Sequence, residues 1–421
     1  MIRFHAYTLR VCLLFIFWSA SMCGAAEAPA IQGLTLVQAI AATIDRNPQL
    51  QSSAFALRSA DARISQADLA PATELSIEVE NIGGTGSVKG TQAAETTLML
   101  SRVLELGGKR ESRVQAARAG HGVLSIEGEA QRLDILAEVT RRYIQVASDQ
   151  EAIRLAQQAT KLAERTLRSA EVRVRAARSP EVERLRAQIA LTRARIDEEH
   201  AEHELLSSRQ KLASMWGDDE PGFASVSADL SRLPEPAPFA LLVQRLKTNP
   251  DFMRFANEQR LRDAEVRLAE ARRVPNVQVG AGVRRLEATG DQAFVVSMSM
   301  PLFSGRRSGG YVGEATARQA QMSLDERSAF LRAQAQLFDL YQELRHALTE
   351  ARVLREEVLP QSETILQQTE YAYQRGRYSY IDWIAAQREL LDAQRRLIQS
   401  SANAHRFAAE IERLAGESLT P

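Results

Sequence analysis

Apolar and polar side chains alternate along two stretches of the chain, 73–104 and 276–303. Leu75, Ile77 and Val79 are interleaved with Glu74, Ser76, Glu78 and Glu80. Val277, Val279, Ala281 and Val283 are interleaved with Asn276, Gln278, Gly280, Gly282 and Arg284. Phe294, Val296, Met298, Met300 and Leu302 follow the same rule against Ser297 and Ser299, broken only by Val295. The run 95–104 is less regular. A period of two gives a strand one apolar and one polar face. Each run is about ten residues, the length of a tilted strand that crosses a bilayer. The pattern alone fits solvent-exposed hairpins on a globular core as well. In a membrane, Glu74, Glu78 and Glu80, with Glu95, have the spacing of pore-lining residues. Four strands cannot close a barrel, and an open edge is not tolerated in lipid, so closure demands more than one chain.

Elsewhere the apolar positions step by three and four. One series runs Leu337, Leu340, Leu344, Ala347, Ala351, Leu354, Val358; another runs Trp383, Ala386, Leu390, Ala393, Leu397, Ser400, Ala404, Phe407, Ile411, Leu414. A sustained step of this kind packs one seam, as in coiled coils, and its alanines allow close helix approach. Proline is absent between Pro71 and Pro180 and between Pro301 and Pro360, as uninterrupted helices require. A helix over 108–177 would reach roughly 105 Å, a length suited to a tube or spacer.

The landmarks recur with a period of roughly 200 residues. Asn47-Pro48 returns as Asn249-Pro250, and each opens a helical stretch that Pro71 or Pro275 closes. Gly107-Gly108-Lys109-Arg110 matches Gly305-Arg306-Arg307 at a long-helix start. Ser179-Pro180-Glu181-Val182 and Ser379-Tyr380-Ile381-Asp382 mark the turns of two long hairpins, which end at Met215-Trp216-Gly217 and Leu414-Ala415-Gly416. The period is too long for a solenoid and indicates a duplication. The predicted organisation is a first unit over 27–220 with its hairpin at 108–216, and a second over 239–421 with its hairpin at 306–416. The Pro-rich connector 221–238 between them should be extended.

The N-terminus reads as a secretory signal, 1–26. Arg3 and Arg10 flank an apolar run, 11–20, too short to span a bilayer, and small residues follow to a cleavage point expected after Ala26. A lipidated Cys23 is the alternative, behind a poor lipobox. Both cysteines, Cys12 and Cys23, fall in this segment, so the mature chain would have no disulfide, thiolate metal site or cysteine nucleophile. Lys+Arg 53 against Asp+Glu 53 leaves no basic excess to bind nucleic acid. Other chemistry is sparse. His200 and His203 share one helical face without a third ligand nearby, and the Gly-rich stretches 83–86 and 305–310 lack a phosphate-binding context. No catalytic grouping or cofactor site is legible, so an enzyme is not expected.

The order helix, strand pair, long hairpin, given twice, together with Leu104-Glu105-Leu106-Gly107-Gly108-Lys109-Arg110, resembles the TolC-type outer-membrane efflux channels, heavy-metal (CzcC-like) branch. The resemblance covers about 34–416. It implies a mainly α fold with a membrane β-barrel portion, and a homotrimer in which each chain gives four strands to a twelve-stranded barrel continued by a periplasmic helical tunnel. It also implies partners: outer-membrane lipid, a periplasmic adaptor and an inner-membrane RND-type pump that supplies the energy, the channel itself conducting passively. The cargo would be heavy-metal cations; drugs or a secreted polypeptide are the alternatives on the same fold, and a non-channel periplasmic adaptor is the rival on another.

The resemblance places the periplasmic entrance at the two hairpin tips. Tyr373 and Asp382 fall where related channels have an aperture tyrosine and an aperture aspartate, and Gly376 at a turn glycine. Arg375 and Arg377 could pair with Asp382 across subunits. Ala385 stands where a second aperture acid often occurs, so a double carboxylate ring is not implied. Ser179, Pro180, Glu181, Val182, Gly376, Tyr378 and Ser379 are the candidates for meeting the adaptor. The plainer reading of Asp382 is an acid in a first helical turn that caps its helix.

Overall fold

A computed structural model describes residues 33–416. The expected signal segment, with Cys12 and Cys23, lies outside the described residues. The first half runs α1 (Leu36–Arg46), α2 (Pro48–Ala67), β1 (Thr73–Glu80), β2 (Glu95–Leu104), α3 (Lys109–Arg175) and α4 (Glu181–Ala213). The second repeats it as α5 (Phe239–Leu246), α6 (Pro250–Ala271), β3 (Val277–Leu286), β4 (Asp291–Ser299), a single turn α7 (Ser304–Arg307), α8 (Gly309–Val353), α9 (Leu359–Gln374) and α10 (Tyr380–Ala415).

The repeated landmarks are joints. Asn47 caps α2 by accepting from the amides of Gln49 and Leu50, and its amide nitrogen donates to the Met215 carbonyl at 2.7 Å. Asn249 caps α6 in the same way and donates to the carbonyls of Arg413 and Leu414 at 2.7 and 3.0 Å. Each Asn-Pro therefore starts a helix and pins the end of the hairpin in its own half, with Pro at the position where a missing N–H costs nothing. Around these joints lie two equivalent cores. One gathers Tyr143, Leu212, Trp216 and Phe223; the other Leu242, Leu337, Leu344 and Ile411. The seam alanines Ala347, Ala351, Ala393 and Ala404 are buried as their spacing predicts. The connector is extended but docked, since Phe223 and Val226 are buried and Tyr143 donates to the Ser227 carbonyl at 2.6 Å.

Two departures from the sequence pattern occur in the second hairpin. The arm expected to start at Gly305-Arg306-Arg307 begins as the separate turn α7 and restarts at Gly309. The seam predicted to run evenly to Val358 instead opens into a π turn over Leu354–Val358, where the Leu359 amide reaches the Leu354 carbonyl. Pro360 is the cause: it has no N–H for the carbonyl four residues back and its ring crowds that carbonyl, so the preceding turn widens.

The four strands form one antiparallel sheet in the order β1-β2-β3-β4, with both halves joined through β2 and β3. Register carries the alternation across it. Ile77, Leu98, Val283 and Phe294 make one row, and Leu75, Leu100, Ala281 and Val296 the next. This face is bare, with Phe294 91% and Val296 83% exposed, an apolar surface that only lipid or another chain could cover. On the opposite face Gly282 opposes Met99 in β2, and a Cβ there would meet the Leu98 carbonyl oxygen at 2.3 Å. Helices follow the same lateral order. Near the sheet α2 packs on α3, α3 on α6 and α6 on α8; further away α4 packs on α3, α3 on α10, and α10 on α8 and α9. The layer thus ends in β1, α2 and α4 on one side and in β4, α8 and α9 on the other.

Candidate functional site at the paired helical tips

The two hairpins turn beside each other at the end farthest from the sheet. Both turns use the same hydrogen bonds. The Ala177 and Arg178 amides donate to the carbonyls of Val174 and Arg173, and the Gly376 and Arg377 amides to those of Tyr373 and Ala372. This closure needs a left-handed residue after the helix end. Gly376 supplies it at φ 73°, whereas Ala177 takes φ 53° with a Cβ.

Between the turns lies a small core. Tyr373 is 1% exposed and stacks on Trp383, centroids 4.8 Å apart, with Tyr380 edge-on at 6.2 Å; Ala170 and Ala187 complete it. The Tyr373 hydroxyl donates to Glu183 of α4 at 3.1 Å. Burial and then the Glu183 carboxylate push that hydroxyl up to about 12. Arg173 of α3 reaches across. Its Nη1 donates to the carbonyls of Tyr373 and Gln374 at 2.9 and 3.3 Å, its Nε to Ser179 Oγ at 3.0 Å, and its guanidinium lies 4.6 Å over the Tyr373 ring. One cation therefore holds the end of α9 to the first tip.

The sequence-predicted residues divide. Pro180, Glu181, Val182, Arg375, Gly376, Arg377, Tyr378, Ser379 and Asp382 are exposed together at this end, while Ser179 is half-buried under Arg173. Tyr373 lies inside the tip, its hydroxyl taken by Glu183. Glu181 pairs with Arg184 on its own helix, and Arg375 stacks on Tyr371 at 3.7 Å. Asp382 completes a capping box: its Oδ2 accepts from the Ser379 hydroxyl at 2.7 Å and the Ser379 amide at 3.1 Å, while its own amide donates to Ser379 Oγ. Those bonds hold its carboxyl below the usual range, so it is ionised at neutral pH. Arg173, Glu183 and Trp383 are the tip residues whose roles the sequence did not reveal. A Tyr373 aromatic neighbour spaced ten residues on was the available signal.

At the other end, Glu74, Glu78 and Glu80 share the polar face of the sheet with Thr97, Arg284 and Ser297. Arg284 contacts Glu80 at 3.3 Å and Glu95 at 2.8 Å. Glu74 and Glu78 have no ion-pair partner among the described residues. His200 and His203 are exposed, and no group of three metal-ligating side chains occurs among the described residues.

The family described as outer membrane efflux protein matches residues 39–218 and 241–417, one match for each half. The chain belongs to the outer membrane efflux protein family. It is 29% identical over 334 residues to the cobalt-zinc-cadmium resistance protein CzcC of Cupriavidus metallidurans, covering 78% of this chain and 77% of that one. It is 24% identical over 303 residues to the nickel-cobalt-cadmium resistance protein NccC of Alcaligenes xylosoxydans xylosoxydans, covering 72% and 67%. The solved structure of CusC, described in terms of transmembrane channel formation, shares the fold at a TM-score of 0.75 over 91% of this chain and 92% of that one, with 17% identity. The protein is thus an outer-membrane efflux channel component whose helical portion lies in the periplasm.

Proposed function

We propose that three copies of the chain close one tube through the outer membrane and periplasm, and that it conducts heavy-metal cations delivered by an RND-type pump through a periplasmic adaptor. The observation that carries this is the shared pair of free edges. β1, α2 and α4 end one side of every layer and β4, α8 and α9 the other, so a single rotation joins sheet and helices at once. Exposed Val182, Leu185, Ile189 and Ile196 on α4, and Leu324, Leu331 and Phe338 on α8, stand at heptad steps along those edges. Lipid covers the apolar sheet face, and Glu74 and Glu78 line the lumen. At the tips, three ionised Asp382 side chains attract cations to the entrance, and Pro180, Val182 and Tyr378 meet the adaptor. The relatives named for cobalt, zinc, cadmium and nickel resistance supply the cargo. The conduit catalyses nothing; the pump provides the energy.

A deletion strain, complemented or not, tests the reading on plates with zinc, cobalt, cadmium and nickel beside organic antibiotics and detergents. Rescue confined to metals is expected. Rescue against organics alone would keep the channel and reject the metal cargo, and a detergent-extracted mass of one chain would reject the trimer.

A further inference from the structure

Where the sheet meets the helices, the chain exposes side chains that neither the barrel nor the tunnel uses. Phe303, directly before α7, is 81% exposed, and Leu302 beside it 64%. Phe303 also holds φ 63° and ψ 24°, a left-handed conformation that a bulky side chain adopts only at a cost. Exposure and strain together are unrewarded within the chain. Arg306 and Arg307 follow in α7, and the same short segment lies against the end of α6, where a Cβ on Gly305 would sit 3.9 Å from the Arg273 carbonyl oxygen, so Arg273 stands alongside. Arg102, near the helix-side end of β2, stands on the apolar face of the sheet, in register with Val279 and Thr73. Arg102, Arg273, Arg306 and Arg307 are exposed and have no ion-pair partner among the described residues. Of the carboxylates in this band, Asp68 is taken by Arg110 and Glu105 by Arg113; Glu111 and Glu270 are exposed, and Glu74 stands on the other, polar face of the sheet, so the four arginines outnumber the free acids.

We propose that this band is a docking surface for anionic phospholipid in the periplasmic leaflet, with Leu302 and Phe303 among the acyl chains and Arg102, Arg273, Arg306 and Arg307 on the headgroup phosphates. It rests on the placement of the sheet in the membrane, whose apolar rows run directly into it. An arginine on a lipid-facing row is tolerated close to the interface, where it extends toward phosphate, and not at the bilayer midplane. The left-handed turn at Phe303 then has a use: it ends the strand register and turns the ring outward at the depth where aromatic side chains anchor barrels. The opposite rim differs. There Arg284 and Arg285 are paired with Glu80, Glu95 and Glu287 and Lys89 is an exposed cation, so the unpaired arginines of the sheet region cluster at its helix-side end. A neighbouring copy against β4 is the competing occupant of Phe303.

Tryptophan quenching in vesicles distinguishes them. The full-length protein carrying Phe303→Trp is reconstituted in phosphatidylcholine vesicles containing either brominated phosphatidylglycerol or brominated phosphatidylcholine at equal mole fraction. Phe294→Trp, on the apolar sheet face, reports insertion of the barrel. Trp18 falls in the segment expected to be cleaved, and Trp216 and Trp383 lie in the helical portion, away from lipid. The expected result is quenching of both reporters, with brominated phosphatidylglycerol favoured at Phe303→Trp by about threefold or more, falling to parity when Arg273, Arg306 and Arg307 are replaced by Gln. Equal quenching by both lipids with the arginines intact overturns the proposal. Absence of quenching at Phe303→Trp with Phe294→Trp quenched also overturns it and assigns the ring to a neighbouring copy. Absence at both positions removes the membrane sheet and the proposal together.

Discussion

Arg173→Ala removes the cation that, beside the Tyr373–Glu183 bond, fastens the second tip to the first. The change deletes two charge-assisted bonds to the carbonyls of Tyr373 and Gln374, one to Ser179, and the cation held 4.6 Å over the Tyr373 ring. A bond from a charged donor is worth more than a neutral one, but Arg173 is only half-buried and water can reach the freed carbonyls at the end of α9. With the cation–π contact included, the loss of coupling is about 2 kcal/mol. The Tyr373–Trp383 stack remains, so the tip should loosen without unfolding. Amide hydrogen exchange at 372–379 should accelerate roughly 30-fold, with α3 and α10 near the sheet unaffected. In planar bilayers the proposed tube should conduct more. Arg173→Lys retains the charge but not the fork and should recover only part of the protection. Exchange at 372–379 within twofold of the unaltered protein would refute the clamp.

Alkali should act at the same place. Because the folded Tyr373 hydroxyl is raised to about 12 from 10, its contribution to stability is complete below pH 10 and is lost as pH rises through 12; Trp383 fluorescence in a Trp216→Phe background should fall with a midpoint near 12, and a midpoint at 10 would show the ring to be solvated. Val296→Arg, on the bare row of β4, should cost about 2–4 kcal/mol of barrel stability in lipid and deplete the outer-membrane fraction, whereas Glu78→Arg on the polar face should leave insertion intact and alter only conductance. Ala177→Gly should stabilise the first turn by about 1 kcal/mol and Gly376→Ala destabilise the second by a similar amount, read from exchange at each tip.

Legibility in the sequence followed the range of the interactions. Strand alternation could be read because a strand's side-chain period is fixed, and the register then placed Ile77, Leu98, Val283 and Phe294 in one row. Asn47-Pro48 and Asn249-Pro250 were visible as helix starts because capping is local; their bonds to Met215 and Leu414 were not. Ser379 and Asp382 are three residues apart, so the cap was foreseeable. Tyr373, Arg173 and Glu183 come from three helices, and no spacing in the chain joins them. Arg173 is also one of many arginines on α3, and its neighbours give it no distinguishing pattern. The resemblance set Tyr373 at the aperture; the fold turns its ring inward against Trp383.

The two halves carry one long hairpin each, but the two are not equivalent. α3 runs 67 residues without a break, a strut whose bending would strain every turn. The matching arm of the second hairpin is divided by the π turn at Leu354–Val358 and by Pro360, where bonds are longer in reach and one donor is missing. Arg355, in that turn, donates to the Ser231 carbonyl at 2.9 Å, so the connector between the halves rests on the weak point. If the entrance opens by moving one hairpin, the mechanically cheaper choice is the second: α9 and its tip swing about the π turn while α3 stays fixed, and the contacts of Arg173 and of Tyr373 with Glu183 must release. Amides at 354–358 should therefore exchange faster than those at 155–159, which lie equally far from the tip on α3. Arg173→Ala should widen that difference, because a freed tip transmits its motion to the hinge. Equal exchange in the two arms would mean that the tips part by sliding of whole hairpins and that the π turn only accommodates Pro360.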